Sequence, residues 1–124
     1  MKVLIAEDET LLLKLLTDKF QKEDFEVIAC PDGFSAIEMY DKEFPDIVIT
    51  DLQMPFSNGF ELIFHIRNTR ESSTPIIVLS NTNIESKIIT SLELGASDFI
   101  EKPFRLNELI MRVRRLINVS LVRH

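Results

Sequence analysis

Apolar residues fall into two alternating patterns along this chain. Short runs at 3–6, 27–30, 47–50, 76–79 and 99–100 are rich in Val and Ile and lack the polar alternation of a half-exposed strand. Such runs predict strands buried on both faces, as in a parallel sheet. Between them, apolar residues recur at helical spacing: Leu12, Leu13, Leu16 and Phe20; Phe34, Ile37 and Tyr40; Leu62, Ile63 and Ile66; Ile84, Ile88, Leu92 and Leu94; and Leu106, Leu109, Ile110, Val113, Leu116 and Ile117. Each set predicts an amphipathic helix, the last most clearly. The punctuation agrees. Pro31-Asp32-Gly33 precedes the second helix and Phe44-Pro45-Asp46 ends it, Asn58-Gly59 opens the third, a polar loop over 67–74 stops at Pro75, and Gly95 marks the C-cap of the fourth.

Five strands alternating with five helices imply right-handed crossovers and an α/β fold with helices on both faces of a parallel sheet. The expected architecture is a flavodoxin-like, doubly wound sheet in the order 2-1-3-4-5. That order has a chemical consequence, because four of the strands end on reactive polar residues: Glu7, Asp8 and Glu9 after the first, Asp51 after the third, Ser80 after the fourth, and Glu101 and Lys102 after the fifth. Ligands of open α/β sheets bind outside the carboxyl ends of the strands. With strands about 4.8 Å apart, Asp8 and Asp51 become neighbours, Ser80 lies one strand away, and the long Lys102 side chain can reach back.

Composition narrows the classes of function. The 124 residues are 45% hydrophobic and 27% charged, which fits one soluble domain spanning 1–124. The net charge of −6 argues against direct nucleic-acid binding through bulk charge, although Arg105, Arg112, Arg114, Arg115 and Arg123 gather near the end, where a solvated face is the expectation. Cys30 stands alone, so neither a disulfide framework nor a cysteine metal site is expected. No run approaches the roughly 18 apolar residues of a membrane span, and the first apolar run is cut short by acid; the expected location is cytoplasmic.

Three carboxylates at one rim, Glu7, Asp8 and Asp51, repel one another, and a hard divalent cation relieves that repulsion. Oxygen ligands with few protein contacts suit Mg²⁺, which completes its shell with water or substrate phosphate. Lys102 adds a compact cation and Ser80 a hydroxyl donor for a phosphoryl group. One carboxylate is then free to act as nucleophile and form an aspartyl phosphate. Each residue also has an ordinary reading. Acidic residues favour a helix N-terminus, the better account of Glu9; Asp51 alone suits a turn, and Ser80 alone a helix cap. Their joint occurrence outweighs these. His65, between Phe64 and Ile66, is expected to face solvent without chemistry.

Taken together, Glu7-Asp8, the segment Asp51-Leu52-Gln53-Met54-Pro55 followed by Asn58-Gly59, Ser80 after the fourth strand, Leu94-Gly95-Ala96 before the fifth and Lys102-Pro103-Phe104 after it resemble the receiver domains of two-component response regulators. The resemblance runs over essentially the whole chain. It implies Asp51 as phosphoacceptor; Asp8, Asp51 and the backbone carbonyl of Gln53 as Mg²⁺ ligands, with Glu7 acting through water; Lys102 as partner of the phosphoryl group; Ser80 as switch hydroxyl; and Phe99 as switch aromatic, a position that also suits a half-buried strand residue. It implies as well a cis bond before Pro103. Asn81 stands where many relatives carry a small residue, and Gln53 and Thr82 where the family tunes hydrolysis. The implied donor is a sensor histidine kinase or phosphotransfer protein, and the chain is a switch rather than an enzyme beyond its own phosphorylation and dephosphorylation. A monomer is expected, with weak homodimerisation on phosphorylation through the face that carries Lys87, Asp98, Glu108, Arg112 and Arg115. The alternatives are a receiver-like interaction domain that works without phosphorylation and a flavodoxin-like cofactor binder. The second lacks a glycine-rich phosphate loop, the chain having only Gly33, Gly59 and Gly95.

Overall fold

The computed structural model describes residues 1–122 apart from 55, 82 and 83; Pro55, Thr82 and Arg123 thus lie outside the described residues. Five strands, β1 (Lys2–Ala6), β2 (Glu26–Cys30), β3 (Ile47–Asp51), β4 (Ile76–Ser80) and β5 (Asp98–Glu101), alternate with α1 (Thr10–Lys22), α2 (Gly33–Glu43), α3 (Gly59–Phe64), α4 (Glu85–Leu94) and α5 (Leu106–Val122). All neighbouring strands are parallel, in the order β2-β1-β3-β4-β5. Strand side chains alternate between two apolar layers. Val3, Ile5, Ile47, Ile49, Ile77, Leu79 and Ile100 pack with Leu16, Phe20, Leu109, Val113 and Ile117 of α1 and α5. Leu4, Ala6, Val48, Ile76 and Val78 pack with Ala36, Tyr40, Leu62, Ile63 and Ile66 on the other face. Both faces of the sheet are covered, which is why its strands read as unbroken apolar runs.

Several local expectations give way. The helix begun by α3 continues as a π-helical turn (His65–Thr69), whose last three residues lie where the loop over 67–74 was expected. Within this turn Arg67 donates from its guanidinium to the carbonyls of Ser72 and Gly95 at 2.9 and 3.0 Å, which ties the turn to the chain that follows it and to the end of α4. His65 does not face solvent. Its Nε2 lies 2.8 Å from Asp41 Oδ1 and its ring stands edge-on to Tyr40. Arg70 holds the same Asp41 carboxylate through two 2.8 Å hydrogen bonds, so this knot ties α2 to the π-helical turn.

The buried side of α2 is Gly33, Ala36 and Tyr40, while Phe34 points outward. A Cβ on Gly33 would come 1.7 Å from the Ser57 carbonyl oxygen, so the first turn of α2 approaches the β3–α3 connection too closely for a larger residue to face inward. At the N-cap of α4 Ile84 is exposed, as are Ile89 and Leu92 within the helix, where Ser91 is the buried residue. Gly95 does end α4, in the left-handed conformation at φ 118°, and the Lys102–Pro103 bond is cis.

Candidate functional site

The register of the sheet builds the site. Ala6 pairs with Thr50, and Asp51 with Leu79, so the residues that follow Ala6 stand level with Asp51 at the carboxyl edge. Ser80 pairs with Glu101, and the next residue, Lys102, donates its backbone N–H to the Ser80 carbonyl at 2.9 Å. That bond fixes where the lysine leaves the sheet.

From there Lys102 reaches back across two strands. Its Nζ donates to Asp51 Oδ2 at 2.7 Å and to Glu7 Oε1 at 2.8 Å. Glu7 is almost wholly buried, Asp51 is buried, and Asp8 is exposed. Oxygens of these three carboxylates all lie within 4.8 Å of one another. The crowding shows in the protonation equilibria. Burial pushes the Glu7 carboxyl above its ordinary range, against the opposing pull of Lys102 and of the Glu9 N–H, which donates to Glu7 Oε2 at 3.1 Å. Burial pulls the Lys102 ammonium down, but hydrogen bonds to Asp51 and Glu7 outweigh it and leave the net shift upward, so the charged form is held.

The acceptor strand carries further support. Thr50, buried in an otherwise aliphatic strand, donates its hydroxyl to the Asp51 carbonyl oxygen at 2.8 Å, and the Gln53 N–H donates to Asp51 Oδ1 at 3.2 Å. The Gly59 N–H bonds the Leu52 carbonyl oxygen at 2.9 Å and closes the loop. A Cβ on Gly59 would lie 2.2 Å from the Asp51 carbonyl oxygen, so only glycine fits there. Asn58 caps α3, its Oδ1 accepting from Glu61 N–H at 3.0 Å. Thr50 escaped the sequence reading; a polar residue in the run Ile47-Val48-Ile49 was the available signal.

The predicted residues therefore sort into three positions. Glu7, Asp8, Asp51 and Lys102 meet at one point. Gln53 is exposed beside them in the loop, and Asn81 is exposed beyond β4. Ser80 is fully buried at the end of β4 next to the lysine-bearing strand, and Phe99 lies half-buried on β5, packed against the apolar layer of α2, α3 and α4.

The carboxylate cluster fits Mg²⁺. The donors are all oxygen, and a metal with ligands at about 2.1 Å spans oxygens up to about 4.2 Å apart, so the 4.8 Å cluster needs only a small side-chain adjustment. Asp8 and Asp51 are suited to hold the ion, with Glu7 set deeper.

The sequence matches the response regulator receiver domain family over residues 3–114. It is 40% identical over 113 residues to the probable transcriptional regulator ycf27 of Galdieria sulphuraria, covering 91% of this chain and 44% of that protein. It is 34% identical over 119 residues to the transcriptional regulatory protein CpxR of Escherichia coli K12, covering 96% of this chain and 50% of that protein. The chain thus spans about half the length of these curated relatives. Among solved structures, the BeF3-activated N-terminal receiver domain of Klebsiella pneumoniae RstA superposes with a TM-score of 0.87 at 31% identity, covering 94% of this chain and 98% of that one. The receiver domain of the Francisella response regulator 1452 does so with a TM-score of 0.88 at 29% identity, over 96% and 98%.

Proposed function

The chain belongs to the family of response regulator receiver domains, and from that premise we propose that it is a phosphoryl-accepting switch of a two-component phosphorelay whose acceptor is Asp51. One observation carries this reading: a single ammonium, Lys102 Nζ, is bonded to both Asp51 and Glu7 at 2.7 and 2.8 Å in a cluster that also includes Asp8. Such a cluster holds a cation and a doubly charged phosphoryl group together where neither carboxylates nor lysine alone would.

In the proposed reaction a carboxylate oxygen of Asp51 attacks the phosphorus of a phosphohistidine. The P–N bond breaks, the electron pair stays on the imidazole, which takes a proton, and an acyl phosphate forms on Asp51. Mg²⁺, when bound, neutralises phosphoryl oxygens. The chain's own residues do the rest: Thr50 and the Gln53 N–H orient Asp51, Asp8 and the Gln53 carbonyl offer ligand oxygens, Glu7 acts through water, and Lys102 leaves its carboxylate pairs for the phosphoryl oxygens. Ser80 and Phe99 are assigned the switch, a hydroxyl drawn toward the phosphoryl group and an aromatic that follows it. Hydrolysis returns the carboxylate, so the chain catalyses its own phosphorylation and dephosphorylation without turning over a separate substrate. The donor is a histidine kinase or phosphotransfer protein. We assign residues 1–124 to one such domain, monomeric before phosphorylation, and place it in the cytoplasm; no helix among the described residues is long and apolar enough to cross a membrane.

Intact-mass measurement after incubation with acetyl phosphate and Mg²⁺ tests the reading. One hydroxylamine-labile phosphoryl group is expected on the wild type and none on Asp51→Asn. Full labelling of the variant would move the acceptor elsewhere. An unlabelled wild type would leave a docking domain that works without phosphorylation.

A further inference from the structure

Two exposed phenylalanines follow the carboxyl ends of β2 and β3, and neither is explained by the fold that carries it. Phe56, five positions after Asp51, is 89% exposed and has φ 70°. A left-handed backbone is unfavourable for any residue with a Cβ, and an exposed ring returns nothing for it. Nor is the loop slack. It is closed by the Gly59 N–H on the Leu52 carbonyl oxygen, and the buried Ser57 donates its hydroxyl to Glu61 Oε2 at 3.0 Å. The Ser57 backbone in turn abuts Gly33 so tightly that no Cβ fits there. The residue after Gly33 is Phe34, 64% exposed. The two backbone segments that touch at Gly33 and Ser57 therefore each present an exposed ring at the adjoining position.

Phe44 shows what the same features mean elsewhere. It too is left-handed, at φ 51°, and 80% exposed, but it is the C-cap of α2 with its N–H on the Tyr40 carbonyl oxygen. There a left-handed residue ends a helix, and it does so just before β3, at the sheet edge opposite the carboxylates.

We propose that Phe56, with Phe34 beside it, is a docking anchor for the protein that donates the phosphoryl group. The inference rests on Asp51 as acceptor. Asp51 is 7% exposed at the end of β3, so a protein that brings a phosphohistidine to it has to approach over the carboxyl edge of the sheet, where the connection that follows Asp51 carries Phe56; a small donor need not touch that connection. Aromatic residues on a rigid support, close to where the partner must sit, have the character of interface anchors.

The test compares two donors. The protein donor is the phosphorylated sensor kinase or phosphotransfer protein that transfers fastest to the wild type among those of the same genome; the small donor is acetyl phosphate. For Phe56→Gly, the ratio of the protein-driven rate to the acetyl-phosphate-driven rate should fall about tenfold or more, the size expected for an anchor residue. Phe34→Ala should lower the ratio less. Phe44→Gly, the same change in the same backbone region at the far edge, should leave it as in the wild type. An unchanged ratio in Phe56→Gly overturns the proposal, as does an equal fall in Phe44→Gly or a genome in which neither kinase nor phosphotransfer protein transfers while acetyl phosphate labels. Failure of acetyl phosphate to label the wild type overturns the assignment of Asp51 instead.

Discussion

At the scale of single residues, the energetics of the site turn on Lys102. Its ammonium is the cation that pairs with Glu7, which is otherwise enclosed, so removing it leaves a buried carboxylate with the Glu9 N–H but no opposite charge. Breaking such a pair from one side costs about 3 kcal/mol or more, because the remaining charge keeps its desolvation penalty. Lys102→Ala should therefore unfold at markedly lower urea concentration, and millimolar Mg²⁺, a second way to neutralise the same carboxylates, should restore part of the loss. If Mg²⁺ shifts the unfolding of wild type and variant equally, lysine and metal do not share the carboxylates. The charged residues of this site were legible in the sequence because each stands at a strand end, where the topology had to bring it to the rim. Their division of labour was not. Which of Glu7 and Asp8 would be enclosed depends on where the chain turns after Ala6, and no local pattern records that turn. His65 went astray for a similar reason: its partner Asp41, which Arg70 also holds, comes from α2, 24 residues away, and only tertiary packing unites them.

Among the elements, periodicity identified the five α-helices yet did not reveal how well each is covered. The stripe of α5 is buried along Leu109, Ile110, Val113 and Ile117, whereas the equally apolar α4 leaves Ile84, Ile89 and Leu92 in solvent. A helical pattern marks a face, and whether another layer meets it is decided by neighbours far along the chain. Few buried contacts mean a low local opening free energy, so the amides of α4 should exchange with deuterium sooner than those of α1 or α5. Equal protection in all three would refute this. The attachment of α2 to the π-helical turn has its own signature in pH. The hydrogen bonds from Arg70 hold the Asp41 carboxyl below its ordinary range, with burial opposing and His65 assisting. A carboxyl lowered in the folded state contributes stability that is present above its unfolded pKa of about 3.9 and disappears as the pH falls through the lower folded value. Urea midpoints measured from neutral pH downward should thus show a shallower acid limb in Asp41→Asn than in the wild type. Gly59, where the β3–α3 connection enters α3, makes a further element-scale case: Gly59→Ala must displace the Asp51 backbone by steric overlap, at an expected cost of about 1–3 kcal/mol, and should slow acetyl phosphate labelling along with it.

On the scale of the whole molecule, the open question is what the α4–β5–α5 face does with its charges. Glu108 and Arg112, four residues apart on α5, do pair, at 2.9 Å. Arg112 also reaches Asp98 on β5 at 3.2 Å, and Arg115 lies 4.0 Å from the same carboxylate. Four of the five charges expected to match a second copy, Asp98, Glu108, Arg112 and Arg115, are thus already matched within the chain. Exchanging an internal exposed pair for one across an interface gains little, since such pairs contribute from nothing to about 1 kcal/mol. Association therefore needs something besides charge, and the exposed apolar residues of α4, Ile84, Ile89 and Leu92, offer area on this face. If phosphorylation at the rim moves Ser80 and Phe99, it alters α4 and β5 together, because β4 ends on Ser80 just ahead of α4 and Phe99 belongs to β5. The expected outcome is a monomer without a phosphoryl mimic and a weak two-fold dimer with beryllofluoride, each copy meeting the same face of the other. Sedimentation velocity over a range of concentrations distinguishes the cases. Dimerisation with beryllofluoride that is lost in Arg112→Glu would locate the contact on this face. A chain that stays monomeric at every concentration would remove homodimerisation from its output and leave this face to a different partner.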